Sequence, residues 1–135
     1  MSSNNRPLIV GIVGAGLQAK RRAPVFRDRA AGELKTIAAA HLEKAKQLAD
    51  YMGCEATDDW RRIVEDDDID VVLVCTPPHL HATITISALE NGKHVLCEKP
   101  LARTIEEAEA MVNEARKYNL KLKCGFNHRH HPSIS

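Results

Sequence analysis

Residues 8–19 read Leu-Ile-Val-Gly-Ile-Val-Gly-Ala-Gly-Leu-Gln-Ala, a β-branched apolar run that meets a glycine-rich turn. The run over residues 8–13 is typical of a short strand buried on both faces of a sheet. The turn has the form Gly14-x-Gly16-x-x-Ala19 and leads into a segment of helical composition. A strand, a tight glycine turn and a helix in this order are the first unit of a nucleotide-binding α/β domain.

Strand and helix patterns alternate through the rest of the chain. Apolar runs predict further strands at residues 34–40, 54–57, 71–75, 94–97 and 120–126. Helices are predicted at residues 17–30 with an interruption at Pro24, and at residues 42–51, 59–65, 80–90 and 104–118. Because strands that alternate with helices connect by right-handed crossovers, we expect one Rossmann-type domain over residues 1–135, a doubly wound parallel sheet with helices on both faces.

Composition and charge exclude several classes of protein. The chain has 135 residues, of which 44% are hydrophobic and 27% charged, as in a globular domain with its own core and unlike a disordered chain. Its formal net charge of +1 is spread along the sequence, so we expect no nucleic-acid and no membrane-surface partner. No apolar run approaches the roughly 20 residues of a membrane span.

The four cysteines show no metal-binding or redox spacing. Cys54, Cys75, Cys97 and Cys124 form no C-x-x-C pair, and three of them end or sit inside apolar runs. This pattern favours reduced, buried thiols, and we therefore expect a cytoplasmic protein.

Gly14, Gly16 and Ala19 fit the phosphate turn of a dinucleotide site. Gly14 allows the tight turn, Gly16 has no side chain to block a pyrophosphate, and Ala19 lets the helix approach the strand. The first helical N–H groups, at Leu17 and Gln18, would face the phosphates. The turn predicts NAD or NADP as the cofactor, and the alternative is a turn that merely connects strand and helix.

The end of the second strand leaves the choice of cofactor open. Residues 37–41 read Ile-Ala-Ala-Ala-His, without the acidic residue that grips the ribose hydroxyls of NAD. Glu43 is expected inside the next helix, and no Ser-Arg pair is present. His41 and Lys44 are the nearby groups that could face a 2′-phosphate. We expect weak discrimination between the two cofactors, with NAD slightly favoured.

Two polar turns follow strands at the carboxyl ends of the sheet, where ligands bind. They are Thr76-Pro77-Pro78 and Glu98-Lys99-Pro100. The Lys99 ammonium could hydrogen-bond a substrate hydroxyl and favour a developing alkoxide, or it could be a solvated side chain in a proline turn. His81 begins a helix and is either a site residue or a cap. We also expect a cis Lys99–Pro100 bond, since sharp turns that aim a side chain into a site are typical places for it.

Metal binding is not expected. The acidic segment at residues 65–70 lacks the glycine and the spacing of a calcium loop and is typical of a solvated face. His128, His130 and His131 have no cysteine or carboxylate beside them to complete a zinc site.

The segment at residues 92–101, Gly-Lys-His-Val-Leu-Cys-Glu-Lys-Pro-Leu, resembles the E-K-P segment of the Gfo/Idh/MocA family, named after glucose-fructose oxidoreductase, inositol dehydrogenase and MocA. Residues 11–16 look like the family's first strand and phosphate turn, and residues 71–81 are similar to its strand, T-P-P turn and helix-start histidine. Asp70 stands where such proteins often have an acidic residue, and residues 125–132 resemble the G-F-N-x-R-x-x-P boundary.

The resemblance implies an NAD(P)-dependent oxidoreductase that transfers hydride between a nicotinamide cofactor and a sugar, cyclitol or related polyol. It also implies that this chain is the cofactor-binding domain and is catalytically incomplete, with the substrate domain and its acid/base histidine expected beyond Ser135. Homo-oligomerisation is left open. Lys99 would contact the reacting hydroxyl. The candidate cofactor contacts are Gly14, Gly16, Leu17, Gln18, His41, Thr76, Pro77, Pro78, His81, Glu98 and Lys99.

Two alternatives use a similar sheet. In a non-catalytic dinucleotide-sensing or interaction module, the same cleft would regulate assembly and Lys99 would be structural. A methyltransferase also has a glycine turn, but it normally needs an acidic residue after the second strand, where this chain has Ala39 and Ala40. The Glu98-Lys99-Pro100 turn would have no role in it.

Overall fold

The computed structural model describes residues 7–26 and 32–125, and they form one six-stranded parallel sheet. The strand order is β3-β2-β1-β4-β5-β6. The chain therefore builds outward from β1 to β3 and then returns to pair β4 with the other side of β1. The predicted doubly wound sheet is confirmed, and its switch point lies between β1 and β4. The strands are β1 (Ile9–Val13), β2 (Glu33–Ala38), β3 (Glu55–Thr57), β4 (Val71–Val74), β5 (His94–Cys97) and β6 (Leu122–Cys124).

Within residues 7–26 and 32–125, five α-helices connect the strands. They are α1 (Leu17–Arg22), α2 (Leu42–Met52), α3 (Arg61–Val64), α4 (His81–Glu90) and α5 (Ile105–Lys117). The first helix changes to a 3₁₀ turn at Ala23–Phe26, because Pro24 has no N–H to continue the α-helical ladder. The predicted interruption is therefore confirmed, whereas the predicted helix end at residue 30 lies outside the described residues.

Both faces of the sheet are covered, as the apolar strands require. In β4, Leu73 packs with Ile12 and Ile37 against the alanines of α1 and α2. The neighbouring Val72 and Val74 point to the opposite face and pack with residues of α3, α4 and α5. With both faces buried, a ligand can approach only at the strand ends or at an edge.

The predicted element boundaries are correct within a few residues. β2 ends at Ala38 and β6 covers three residues, so both strands are shorter than their apolar runs. Thr104 caps α5 as its sequence predicts, since its Oγ1 accepts a hydrogen bond from the Glu107 N–H at 3.0 Å. No helix among the described residues is long and apolar enough to cross a membrane.

The acidic segment at residues 65–70 forms hydrogen bonds with residues of β1 and β2. The Lys35 ammonium donates to Asp66 at 2.7 Å and to Asp68 at 3.2 Å, and Asp70 accepts from the Ile9 N–H at 2.8 Å. Burial alone would raise the pKa of Asp66, but the hydrogen bonds from Lys35 and from the Asp68 N–H, together with the charges of Lys35 and Lys93, leave this pKa lowered. These carboxylates therefore contact β1 and β2 away from the carboxyl ends of the strands, where the ligand site is predicted.

Candidate functional site

A cleft of about 450 Å³ opens where β1, β2 and β4 end. The turn after β1, the segment after β2 and the turn after β4 each supply part of its lining, and residues after β3 complete it. The lining residues are Val13, Gly14, Ala15, Gly16, Gln18, Ala38, Ala39, Ala40, His41, Lys44, Asp58, Trp60, Cys75, Thr76, Pro77 and Leu80.

The phosphate turn uses its two glycines for different reasons. Gly14 has a φ of +115°, its N–H donates to the Ala38 carbonyl at 2.6 Å, and a Cβ there would lie 2.7 Å from the Cys75 carbonyl oxygen. A Cβ at Gly16 would meet nothing within 4 Å. Gly14 is thus required by the fold, whereas the space beside Gly16 is left open to a ligand.

This difference predicts opposite stabilities for two alanine variants. Gly14→Ala should lower the free energy of unfolding by about 1–3 kcal/mol or more, because it strains the backbone and brings Cβ against a main-chain carbonyl. Gly16→Ala should change it by less than about 0.5 kcal/mol, since its Cβ meets no atom. Urea denaturation followed by circular dichroism measures both. Equal stabilities of the two variants would contradict the assignment.

Two polar atoms in the cleft have no hydrogen-bond partner among the described residues. They are Gln18 Oε1 and Thr76 Oγ1, and both are buried. Buried polar side-chain atoms are normally hydrogen-bonded, so an unpaired one needs an explanation. Because both residues line the same cleft as Gly16, donors and acceptors of a bound ligand would supply the missing partners. The residues present therefore fit a dinucleotide.

The rim beyond β2 carries opposite charges. His41 and Lys44 are exposed and line the cleft, as the sequence predicted, and no carboxylate follows β2 itself. Asp58 brings an exposed carboxylate to the same rim, since it follows β3 and β3 pairs in parallel with β2. A search limited to the end of β2 misses this residue, and the signal that could have found it is its place after the neighbouring strand.

The Glu98-Lys99-Pro100 turn follows β5. Glu98 is buried, and its carboxylate accepts a hydrogen bond from Arg22 Nε of α1 at 2.8 Å. Lys99 is exposed, and its aliphatic stem lies over Gly125, where an added Cβ would be 3.1 Å from Lys99 Cε. The Lys99–Pro100 bond is cis, as expected. The aliphatic part of the Lys99 side chain, which carries the ammonium, thus packs against Gly125.

The structure divides the predicted cofactor contacts into two groups. Gly14, Gly16, Gln18, His41, Thr76 and Pro77 line the cleft, and Leu17 begins α1 beside them. Pro78, His81, Glu98 and Lys99 do not line it. The side chains of His81 and Glu98 contact other parts of the chain: His81 is 1% exposed with both ring nitrogens against main-chain carbonyls, and the Glu98 carboxylate pairs with Arg22.

Sequence reasoning also missed the apolar wall of the cleft. Trp60 lies directly before α3, Leu80 lies directly before α4, and Cys75 follows β4. All three residues line the cleft. Burial raises the pKa of Cys75 to about 12, so at neutral pH its thiol is protonated and is a poor nucleophile. Cys75 is therefore part of the lining. Within the described residues all four cysteines are free thiols.

Comparison with known proteins assigns the chain to a family. Residues 8–126 match the Gfo/Idh/MocA family profile, which is described as an oxidoreductase family with an NAD-binding Rossmann fold. The chain belongs to this family. The resemblance seen in the E-K-P segment is confirmed, and the methyltransferase alternative is excluded.

Relatives of known activity include sugar dehydrogenases. The chain is 42% identical to a levoglucosan dehydrogenase of Pseudarthrobacter phenanthrenivorans over 95% of its own length and 35% of that protein. It is 40% identical to a D-glucoside 3-dehydrogenase of Escherichia coli, over 91% of the chain and 36% of that protein. The chain thus spans little more than a third of the length of these Gfo/Idh/MocA relatives.

Solved structures of the family superpose closely on the chain. A 3-ketoreductase from Actinomadura kijaniata, in complex with NADP and TDP-benzene, matches 96% of the chain and 40% of its own with a TM-score of 0.87 and 35% identity. A levoglucosan dehydrogenase in complex with NADH and levoglucosan matches 90% of the chain and 35% of its own with a TM-score of 0.77 and 43% identity. NADP, which carries a 2′-phosphate, and NADH, which lacks it, are thus both bound among these Gfo/Idh/MocA structures.

Proposed function

We propose that the chain is the NAD(P)-binding domain of an oxidoreductase that transfers hydride between a nicotinamide cofactor and a sugar, cyclitol or related polyol. The observation that carries the proposal is the cleft at the switch point, which is lined by Gly16 with open space beside it and by Gln18 and Thr76, whose buried Oε1 and Oγ1 have no partner among the described residues. The family match supports the cofactor class, and the sugar dehydrogenases among the relatives support the substrate class.

The cleft residues would bind and orient the dinucleotide. Gly16 leaves room for the pyrophosphate, the Gln18 amide oxygen accepts a hydrogen bond, and the Thr76 hydroxyl both donates and accepts. Trp60 and Leu80 exclude water from the apolar part of the cleft. When bound, the nicotinamide ring supplies the acceptor or donor of the hydride.

Lys99 would act on the substrate, at the sheet edge that also carries the cleft. Its ammonium donates a hydrogen bond to the reacting hydroxyl and favours the negative charge that develops as the hydroxyl loses its proton. The buried Glu98–Arg22 pair fixes the turn on the side that precedes Lys99. The group that accepts the proton is proposed to be the histidine of a substrate domain that follows this one.

Titration with NADH tests cofactor binding directly. Trp60 is the single tryptophan of the chain and lines the cleft, so its fluorescence should be quenched by energy transfer to a bound reduced nicotinamide. We expect a saturable signal that excess NAD⁺ reverses. Linear signals without saturation from both NADH and NADPH would show that the cleft binds no nicotinamide cofactor.

The opposite charges at the rim predict weak cofactor discrimination. The affinities for NADH and NADPH should differ by less than about tenfold, or 1.4 kcal/mol. Lys44→Ala should lower the affinity for NADPH relative to that for NADH by about threefold, and Asp58→Asn should raise this relative affinity by about threefold. The effects are small because exposed charges contribute only about 0.2–1 kcal/mol. Calorimetric titration of both cofactors provides the ratios. A hundredfold preference in the unsubstituted chain would show that another residue reads the ribose.

A further inference from the structure

His81 is a buried polar side chain between the two turns of the site. It begins α4, is 1% exposed, and packs beside the apolar core. Its Nδ1 lies 2.8 Å from the Pro100 carbonyl oxygen, and its Nε2 lies 2.7 Å from the Thr76 carbonyl oxygen. The imidazole therefore spans the gap between the turn after β4 and the turn after β5.

Both neighbours of the ring are hydrogen-bond acceptors. A neutral imidazole carries one N–H and donates to one carbonyl, whereas an imidazolium donates to both. Each carbonyl belongs to a turn with a proposed task. Thr76 lines the cleft and its buried Oγ1 has no partner among the described residues, and Pro100 directly follows Lys99.

Different contacts fix the residue before Lys99 and the residue after it. On the preceding side, Glu98 is fixed by Arg22 and by its own N–H, which donates to the Val74 carbonyl at 3.0 Å. On the following side, the Pro100 carbonyl lies against His81. An imidazole at this place therefore fixes the half of the turn that the Glu98–Arg22 pair does not reach.

We propose that His81 is a positioning residue that ties the turn after β4 to the turn after β5. Through Thr76 it fixes a cofactor contact, and through Pro100 it fixes the direction of Lys99. That these turns contact a nicotinamide cofactor and a sugar or polyol substrate rests on the proposed function, whereas the tie between the turns does not.

Two variants separate the two links. In His81→Asn the amide nitrogen takes about the place of Nδ1 and can still donate to Pro100, but it cannot reach Thr76. In His81→Gln the amide nitrogen takes about the place of Nε2 and can still donate to Thr76, but not to Pro100. His81→Phe keeps the ring and loses both links, and His79→Gln, at an exposed residue of the same turn, is the matched control.

The expected result is a crossed pattern in the 135-residue chain. His81→Asn should weaken NADH binding by about tenfold, the equivalent of one hydrogen bond of about 1.4 kcal/mol, and leave the Lys99 turn ordered. His81→Gln should keep the NADH affinity and lower the amide order parameters of Lys99 and Leu101 from about 0.85 to below about 0.6. His81→Phe should do both, and His79→Gln neither.

Other patterns would overturn the proposal. If His81→Asn and His81→Gln change the same quantity by the same factor, the two links are not separate. If they lower only the melting temperature, His81 is a core residue without a positioning role. Should the unsubstituted chain bind neither NADH nor NADPH, the proposed function is wrong, and the order parameters of Thr76 and Lys99 in the two variants still decide whether the tie exists.

Discussion

Lys99→Ala should lower turnover by about 100-fold or more in an enzyme that joins this domain to its substrate domain, the scale for losing one preorganised electrostatic contact. The lost ammonium would no longer donate to the reacting hydroxyl or favour its developing charge. The dissociation constant for NADH should barely change, because Lys99 does not line the cleft. Steady-state kinetics at saturating cofactor, together with an NADH titration of the same variant, measure the two quantities.

Two controls test whether the shape of the Lys99 side chain matters and whether catalysis needs a second domain. Lys99→Arg should not restore turnover, since a planar guanidinium does not replace a compact ammonium at a close contact. The 135-residue chain alone should oxidise no polyol, because the proposed proton acceptor lies outside it. Unchanged turnover in Lys99→Ala would instead show that this lysine takes no part in the reaction.

Gly16→Val should weaken the binding of NADH and NADPH by about 100-fold, which corresponds to about 2.7 kcal/mol. The added side chain enters the open space where the pyrophosphate is proposed to lie. The fold should tolerate it, since a Cβ at Gly16 meets no atom within 4 Å. Fluorescence titration of Trp60 measures the affinity, and thermal unfolding checks the fold.

A remote valine provides the matched control for Gly16. Asn113→Val adds the same side chain at an exposed position of α5, which packs on the other face of the sheet from α1. Its affinities for both cofactors should equal those of the unsubstituted chain. If Gly16→Val also binds NADH with unchanged affinity, the phosphates do not pass this turn.

Local patterns account for the features that the sequence predicted well. The strand at Ile9–Val13 and the glycine turn after it are encoded within a dozen consecutive residues. The parallel sheet follows from the alternation of strands and helices, since few topologies satisfy right-handed crossovers. Thr104 and Glu107, three residues apart, likewise predict the start of α5 correctly.

Features that depend on distant residues were not predictable in the same way. Asp58 joins the rim only because β3 lies next to β2 in the sheet. The place of His81 depends on the Pro100 turn, 19 residues later in the chain, whose carbonyl reaches its ring. The Arg22–Glu98 pair spans 76 residues, so the sequence around Glu98 does not reveal the partner of its carboxylate.

The central position of β1 makes the nucleotide site a late product of chain synthesis. The partner of β1 on one side, β4, lies far along the chain, and 61 residues separate Ile9 from the Asp70 carboxylate that it contacts. Until β4 leaves the ribosome, one edge of β1 has no strand beside it, and the Gly14 turn has no Cys75 carbonyl against it. Long-range parallel pairing of this kind is slow and leaves strand edges open to aggregation. The cleft beside the Gly14 turn is therefore complete only after β4 has been synthesised.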